Sequence, residues 1–348
     1  MARRSVARGA PVIGSRPWRP MAIAAALWGL VACAAPDPGL PQVLRVAYPA
    51  MADFDDLPSL MAHARLEAEG YRIETTHYRV SELAAEALSR GDAEFANGAV
   101  RSYWAAAAKG APITTIMDHA ANVHRLVVEA GIGDCAALEG QPFALHSEGA
   151  VGTALARAYF SEACPDVRPR LLMIPNSDNR AAALLAGAVR GSVLTVAEVI
   201  HLEQRAPGRF RVMSDFSARW PHVKTTGVYV NSRFASAHPD AVRDYIRARV
   251  QANRDILGDS DRLAATAAGR LGASTLWPMI ARAHTDLRIW HPDGGLTRED
   301  VDETLRFFIA HGSLQAGLTT DDVADLSYLG AALGELGHHP ATTGYGGR

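Results

Sequence analysis

The stretch Ala87-Leu88-Ser89-Arg90-Gly91-Asp92-Ala93-Glu94-Phe95-Ala96 decides the fold of this chain. Ser81 precedes it at a position that can cap a helix over 82–90. Gly91 can end that helix, because glycine readily adopts the left-handed conformation found at helix C-termini. The residues Glu94-Phe95-Ala96-Asn97 then predict a short buried strand. A helix that ends at glycine and leads into a strand is a repeating unit of α/β folds.

The segments on both sides of this stretch continue the alternation of strands and helices. Strands are predicted at 43–48, 71–78, 112–117 and 124–129, and helices follow the first strand and occupy 100–109. This βαβ rhythm favours a mainly parallel sheet with right-handed crossovers.

A second series of strands and helices follows, and it contains an echo of the first. Ala183-Leu184-Leu185-Ala186-Gly187 again ends a helix at glycine shortly before a strand. The predicted elements of this series are strands at 143–146, 170–174 and 192–196 and helices at 151–163 and 179–186. Two similar α/β lobes with a cleft between them would produce such an echo. After a strand at 228–230 the chain becomes helical, with helices predicted at 239–250, 260–271, 275–284, 297–311 and 320–330.

The N-terminus has the pattern of an export signal. Five arginines precede an apolar run over 21–32, which ends Leu30-Val31-Ala32-Cys33. The run is shorter than the ~20 residues that a membrane-spanning helix needs. Residues 1–32 are therefore predicted to be a lipoprotein signal peptide, and 33–41, rich in proline and glycine, a tether.

Overall charge argues against a nucleic-acid-binding role. The chain has 35 basic and 37 acidic residues, and the five arginines of the signal leave 30 basic residues against 37 acidic ones. A mildly acidic protein lacks the basic face that nucleic acids require. We therefore expect no nucleic-acid partner and a monomer.

The remaining cysteines and the histidine pair give weaker signals. Cys135 and Cys164 could form a disulfide in an oxidising compartment, or remain two separate buried thiols, since the sequence does not give their separation. No Cys or His spacing predicts a metal site, and no cofactor is expected. The tail over 337–348, with His338-His339, is predicted to be flexible and solvated.

Several stretches along the chain resemble one family, the periplasmic binding proteins for nitrate, sulfonates, taurine and thiamine pyrimidine precursors. They are Leu44–Tyr48, Ala87–Ala96, Ala106–Ile113, Leu138–Pro142 and Ala183–Val189, and the resemblance extends over about residues 43–325. The sequence departs from the family pattern at Arg190 and Gly191, where the start of a strand is in question. Leu-Val-Ala-Cys similarly resembles the bacterial lipobox, which implies that Cys33 carries a lipid.

The family resemblance implies a type II periplasmic-binding-protein fold, with two α/β lobes closing on a ligand. Lobe 1 is expected over 42–127 and 222–335 and lobe 2 over 130–218. The protein would be a lipid-anchored component of an ABC importer on the outer side of the cell membrane. It would capture a small molecule by lobe closure and deliver it to permease and ATPase subunits.

Ligand groups are expected where strands end and helices begin, because open α/β sheets present loops and unpaired N–H groups there. The candidates in lobe 1 are Asp53, Phe54, Asp55, Asn97, Gly98, Asp118, His119 and Thr226. Those in lobe 2 are Ser147, Glu148, Gly149, Asn176, Asp178, Thr195 and Glu198. Each could instead serve as a helix cap or a turn residue.

Acidic residues dominate these candidates, whereas a nitrate or sulfonate site should supply Arg, Lys or a bare helix N-terminus. Phe54, Tyr48 and Trp104 lie near them in the sequence pattern. The hypothesis is a cationic or amine-bearing aromatic ligand, such as a thiamine pyrimidine precursor, held by carboxylates and cation–π contacts. The alternative is a solute bound through its anionic group, of the nitrate, sulfonate or taurine type.

Two other function classes have less support in the sequence. Catalysis is not expected, because no Gly-x-Ser-x-Gly, His-Glu-x-x-His or P-loop pattern occurs. Fungal relatives of this fold that make the thiamine pyrimidine use a lysine-bound cofactor and a cysteine-rich segment, whereas this chain has isolated Lys109 and Lys224 and no cysteine cluster. A ligand-sensing module for a membrane signalling partner is the third class.

Overall fold

The structure is a computed structural model that describes residues 43–344. Its ten strands are β1 (Val43–Tyr48), β2 (Arg72–His77), β3 (Phe95–Ala99), β4 (Ile113–Asp118), β5 (His124–Glu129), β6 (Pro142–Leu145), β7 (Arg170–Met173), β8 (Gly191–Thr195), β9 (Phe210–Asp215) and β10 (Thr226–Asn231). The helices are α1 (Leu57–Ala68), α2 (Ser81–Arg90), α3 (Val100–Ala107), α4 (Val151–Ala163), α5 (Ser177–Leu185), α6 (Val196–Arg205), α7 (Phe216–Arg219), α8 (Ser232–Ala237), α9 (Pro239–Asp255), α10 (Ser260–Leu271), α11 (Trp277–Asp286), α12 (Arg298–Ala310), α13 (Thr320–Val323) and α14 (Ser327–Leu336).

The strands form two five-stranded sheets, each with flanking helices, and these define two lobes. The first sheet has the order β2-β1-β3-β10-β4, and the second has the order β7-β6-β8-β5-β9. The orders are equivalent, with β6 in the place of β1, β8 in the place of β3 and β5 in the place of β10. The two helices that end at Gly91 and Gly187 therefore lead into equivalent strands, β3 and β8. This explains the echo in the sequence.

Each sheet is mainly parallel, as predicted, with one antiparallel strand that makes it mixed. β10 runs antiparallel to β3 and β4, and β5 runs antiparallel to β8 and β9. Both are the strands by which the chain enters a sheet from the other lobe. They start at the cleft and run away from it, whereas the other strands end there.

The position of β5 also corrects a predicted boundary. Residues up to 127 were placed in lobe 1, but His124–Glu129 pairs only with strands of the second sheet. The chain therefore leaves the first sheet after Asp118 and returns to it at Thr226. Two short segments, 119–123 and 220–225, cross between the lobes.

The helix α9 illustrates how the amphipathic pattern builds the first lobe. Val242, Tyr245, Ile246 and Val250 are fully buried, as their spacing predicts. The ring of Tyr245 stacks on Phe95 of β3 with centroids 4.0 Å apart. Arg249 lies on the same buried face and is itself fully buried, which places a cation inside this lobe.

In the second lobe, the two positions that depart from the family pattern still begin a strand. β8 starts at Gly191, and Arg190 before it forms an ion pair with Glu129 of β5 at 3.0 Å. A side chain at Gly191 would meet the Phe143 ring at 2.6 Å, so the small residue allows β6 and β8 to pair closely.

A disulfide joins Cys135 and Cys164, which decides between the two alternatives left open by the sequence. Cys135 begins a short 3₁₀ segment after β5, and Cys164 caps the C-terminus of α4. The bond ties the segment after β5 to the C-terminus of α4.

Part of the segment predicted to be a flexible tail is anchored. His338 Nδ1 lies 3.1 Å from Asp293 Oδ2, and Thr342 Oγ1 donates to the same oxygen at 2.6 Å. These bonds, with Arg254, lower the pKa of Asp293 to about 2 although burial opposes its charge. The predicted signal peptide, Cys33, the tether and residues 345–348 lie outside the described residues. Within 43–344, no helix is long and apolar enough to cross a membrane.

Candidate functional site

A cavity of about 190 Å³ lies between the two lobes, where the carboxyl ends of the strands meet. This volume is smaller than the roughly 300–1,000 Å³ of pockets for drug-sized molecules, so it suits a small solute. The polar and charged residues that line it are Asp53, Asp55, Asp56, Ser81, Asn97, His119, His124, His146, Ser177, Arg180, Thr195, Thr225 and Thr226.

The first-lobe wall carries three carboxylates on one short turn. Asp53 caps the 3₁₀ segment Phe54–Asp56 by accepting a hydrogen bond from the Asp55 N–H at 3.0 Å. His284 Nε2 lies 2.7 Å from Asp55 Oδ1, and this bond lowers the pKa of Asp55 although burial opposes its charge. Burial, together with Asp55 and Asp56, raises the pKa of Asp53 well above its ordinary value.

Behind this wall, a buried arginine acts through a histidine. Arg249 donates to His119 Nδ1 at 3.3 Å and to the Ser59 hydroxyl at 2.6 Å. Because Nδ1 accepts that bond, Nε2 carries the proton of the neutral ring, and it lies 3.2 Å from Asp56 Oδ1. Asp56 therefore has His119 as its partner, and Asp55 has His284.

Asn97 is the central residue of β3, and its amide is oriented by the same network. Its Nδ2 donates to the Ser59 hydroxyl at 3.0 Å, while its Oδ1 has no hydrogen-bond partner among the described residues. Gly98 follows with φ 152°, and a side chain there would meet the Tyr103 ring at 2.7 Å. Only glycine fits this position, which lets the cavity approach the backbone closely.

The second-lobe wall contributes a cation. Arg180 on α5 is 5% exposed, and its guanidinium donates to Val193 O, Ile174 O and the Ser177 hydroxyl. All three acceptors are uncharged. Burial lowers the pKa of Arg180 to about 10, so the group remains charged at neutral pH.

Helix α4 also points its start at the cavity. Its N-cap residue Ala150 provides no side-chain cap, and Ala150, Val151 and Gly152 all line the cavity. The first N–H groups of a helix lack intrahelical acceptors and carry partial positive charge. Burial lowers the pKa of both His124 and His146 to about 4, so these two lining rings are neutral at neutral pH.

The two lobes touch each other at the rim of the cavity. Glu82 Oε1 on α2 accepts hydrogen bonds from the Ser147 hydroxyl at 3.0 Å and the Gly149 N–H at 2.8 Å. Ser102 Oγ donates to Gly149 O at 2.9 Å, and Arg101 donates to Glu148 O. We call these contacts the rim latch. They join the start of α2 and α3 in the first lobe to the loop before α4 in the second.

Seven of the fifteen predicted ligand residues line the cavity. They are Asp53, Asp55, Asn97, Gly98, His119, Thr195 and Thr226. Thr226 donates to Ala120 O at 3.0 Å, and Thr195 caps α6 together with Glu198. That these residues contact a ligand remains a prediction.

The other eight predicted residues have different surroundings. Phe54 packs under the turn against His284 and Trp290, because its apolar ring is buried in the first lobe. Asp118 is turned toward Lys224, 3.1 Å away. The other six form the rim latch or helix starts: Ser147, Glu148 and Gly149 lie at the rim, Asn176 caps α5, Asp178 is exposed in its first turn, and Glu198 completes the α6 capping box.

Sequence reasoning did not select Arg180, His124, His146 or Thr225 as ligand residues. His146 directly follows β6, so the same strand-end rule could have found it one residue before Ser147. Arg180 lies inside α5, where nothing in the sequence pattern distinguishes it from a solvated helix arginine. Within residues 43–344, no group of three or more His, Cys, Asp or Glu is arranged to hold a metal ion.

Comparison with known proteins now places this architecture. A family model described as NMT1/THI5 like matches residues 66–262, more than half of the chain. The chain belongs to the NMT1/THI5-like family. This confirms the family resemblance predicted from the sequence. No curated protein matches the sequence.

Solved structures similar to this NMT1/THI5-like protein show the same fold. The ligand-binding component of an ABC-type import system from Staphylococcus aureus, with zinc bound, has a TM-score of 0.69 at 13% identity and covers 84% of this chain and 99% of that chain. The alkanesulfonate-binding protein SsuA from Xanthomonas axonopodis pv. citri, bound to MOPS, has a TM-score of 0.65 at 17% identity and covers 82% of this chain and 98% of that chain. The nitrate-binding protein NrtA from Synechocystis PCC 6803 has a TM-score of 0.69 at 12% identity and covers 88% of this chain and 91% of that chain. The two-lobed periplasmic-binding-protein fold is thereby confirmed.

Proposed function

We propose that this NMT1/THI5-like protein is the solute-binding component of an ABC importer. The observation that carries the proposal is the charged cavity between the two lobes, with polar contacts between the lobes at its rim on the Glu82 side. A solute held by both walls favours the closed state, and closure is the signal that a permease can recognise. The structural relatives include the binding component of an import system.

The proposal includes location outside the cytoplasm. The arginine-rich start and apolar run before Cys33 support export, and the Leu-Val-Ala-Cys stretch supports attachment of a lipid to Cys33. An anchored protein would deliver its solute to permease and ATPase subunits at the membrane. A catalytic role has less support, because neither Lys109 nor Lys224 lines the cavity.

The cavity supports one half of the ligand hypothesis drawn from the sequence. The carboxyl groups of Asp53, Asp55 and Asp56 suit a basic nitrogen, which a thiamine pyrimidine precursor or another amine would supply. Tyr48, Phe54 and Trp104, however, are buried and do not line the cavity, so they offer no cation–π contact. Arg180 and the start of α4 favour the alternative, an anionic group.

A thermal-shift screen of residues 36–348 tests the proposed function. The panel holds pyrimidines, thiamine, nitrate, alkylsulfonates, taurine, amino acids and polyamines. Binding at a hundredfold excess over Kd adds about 2.7 kcal/mol to the free energy of unfolding, which raises Tm by about 4 °C for a chain of this size. We expect one chemical class to give this shift. A folded protein that responds to no class would contradict the proposal.

The rim latch leads to a prediction about affinity. A Cβ on residue 149 would lie 2.2 Å from Glu82 Oε1, so Gly149→Ala displaces the Glu82 side chain, breaks its two hydrogen bonds of the latch and favours the open state. If only the closed state holds the solute tightly, a shift of the opening equilibrium by about 1.4 kcal/mol lowers the apparent affinity about tenfold. Isothermal titration with the solute that gives the largest thermal shift measures the effect.

Gly133→Ala is the matched control, since a Cβ there meets no atom within 4 Å and the residue lies in the same lobe. Combining Gly149→Ala with Glu82→Ala relieves the clash, but the Glu82 hydrogen bonds are still missing. The double variant should therefore not regain full affinity. Equal affinity of Gly149→Ala and the original protein would mean that the latch does not stabilise the closed state.

A further inference from the structure

One acidic residue on the first-lobe wall lacks an ion-pair partner among the described residues. Asp55 and Asp56 each have a histidine partner, whereas Asp53 forms no ion pair with any residue from 43 to 344. Its carboxylate is exposed to the cavity. Asn97 Oδ1, on β3, is a buried acceptor without a donor in the same part of the chain. Two acceptors, a carboxyl group and an amide oxygen, therefore belong to residues that line the same cavity, and an N–H donor with positive charge would suit both.

The second-lobe wall has the opposite character. Arg180 uses three of its five N–H groups on uncharged acceptors, and it forms no ion pair within the described chain. The uncapped start of α4 lies on the same wall, and His146 Nδ1 has no hydrogen-bond partner within 43–344. A guanidinium beside helix N–H groups is an arrangement that binds oxyanions.

The two walls belong to different lobes, so a solute that satisfies both holds the lobes together. A simple anion would leave the Asp53 carboxyl group without a positively charged partner. A simple cation would likewise leave the Arg180 guanidinium without a negatively charged partner. Leaving either group without a partner of opposite charge costs binding free energy, because closure of the lobes removes water from it.

Resting on the proposed function, we propose that the solute is a small zwitterion, with a protonated primary or secondary amine toward Asp53 and Asn97 and an oxyanion toward Arg180 and the start of α4. The acceptor of Asn97 favours an amine with N–H groups over a quaternary ammonium. The cavity of about 190 Å³ limits the solute to roughly the size of a short-chain amino acid. Carboxylate and sulfonate share the required chemistry at the anionic end.

Titration calorimetry with matched probes tests this inference. The zwitterions are ω-amino carboxylates with one to five methylenes and the corresponding aminoalkanesulfonates, including β-alanine and taurine. Each is compared with the anion that lacks its amine and with the amine that lacks its oxyanion. We expect at least one zwitterion to bind about 100-fold more tightly than both of its counterparts, since truncating a buried charge partner has effects of this size.

Two variants assign the ends of the solute. Asp53→Asn keeps the cap on the Asp55 N–H and removes the charge, so it should reduce the preference for the zwitterion over its amine-free anion by about 100-fold. Arg180→Gln should reduce the preference over the oxyanion-free amine in the same way, and Arg180→Lys should restore part of it. Glu67→Gln and Arg205→Gln, both exposed, serve as charge-matched controls that leave the preferences unchanged.

The outcomes separate this inference from the proposed function. If a plain anion or an oxyanion-free heterocycle binds more tightly than every zwitterion, the inference is overturned and the importer role stands. Unchanged preferences in both variants also overturn it. If no probe of any class binds the folded protein, both the inference and the proposed function fail.

Discussion

Replacing Lys224 with methionine is expected to lower the free energy of unfolding by about 3 kcal/mol. Lys224 lies in the segment that returns to the first lobe, and its Nζ is 3.1 Å from Asp118 Oδ2 and 3.7 Å from Asp300 Oδ1. Burial opposes the charge of Lys224, but the two carboxylates outweigh burial and raise its pKa. Removing one partner of a largely buried ion pair costs roughly 3–5 kcal/mol, and the lower end applies because Lys224 is partly exposed.

The measurement is urea unfolding of residues 36–348 at several pH values. Burial already raises the pKa of Asp118 above its ordinary value of 3.8. In the variant the uncompensated carboxylate destabilises the fold while it is charged. The difference from the original protein should therefore be full at neutral pH and shrink as pH falls through the pKa of Asp118. Lys109→Met is the control, because Lys109 is the other lysine of the chain and is exposed, and it should change the free energy of unfolding little. A neutral-pH difference below that of the control would show that the ion pair does not stabilise the hinge.

Reduction of the disulfide between Cys135 and Cys164 is the second large effect that we expect. The two residues are 29 positions apart, and cross-linking a loop of this length removes about 3–4 kcal/mol of entropy from the unfolded chain. The urea midpoint of residues 36–348 should fall in the presence of a phosphine reductant by the amount that corresponds to this loss. Ligand preference should not change, because neither cysteine lines the cavity.

The double variant Cys135→Ala with Cys164→Ala controls for effects of the reductant on the rest of the protein. It should have the lower midpoint with and without reductant. Residues 36–348 contain no other cysteine, so mass spectrometry can verify that both thiols are free. Equal midpoints of the oxidised and fully reduced original protein would contradict the predicted contribution.

The fold was largely predictable because its signals are local. Helices that end at Gly91 and Gly187 and lead into buried strands occur at equivalent places in the two sheets, and the sequence carries both. The direction of β5 and β10 was not predictable, because periodicity identifies a strand without saying from which lobe the chain enters it. The same gap placed the end of the first lobe at 127, inside β5.

The site was predictable only where residues follow strands. Asp53, Asn97 and His119 were found by that rule, and all three line the cavity. Asp118 follows the same rule, but its carboxylate pairs with Lys224, 106 positions away in sequence, a contact that no local pattern announces. Arg180 was missed as a lining residue for the opposite reason. It reaches the cavity from inside a helix, and its burial depends on how α5 packs against β8.

The central claim is that the two lobes close on a small solute. Pulsed electron paramagnetic resonance tests it most directly, with spin labels at Glu86→Cys on α2 and Asn179→Cys on α5, two exposed positions in different lobes. In dialysed protein we predict a long or broad distribution of distances between the labels. Saturation with the solute that gives the largest thermal shift should produce one narrower, shorter distance. The same distribution with and without a solute that calorimetry shows to be bound would contradict capture by lobe closure.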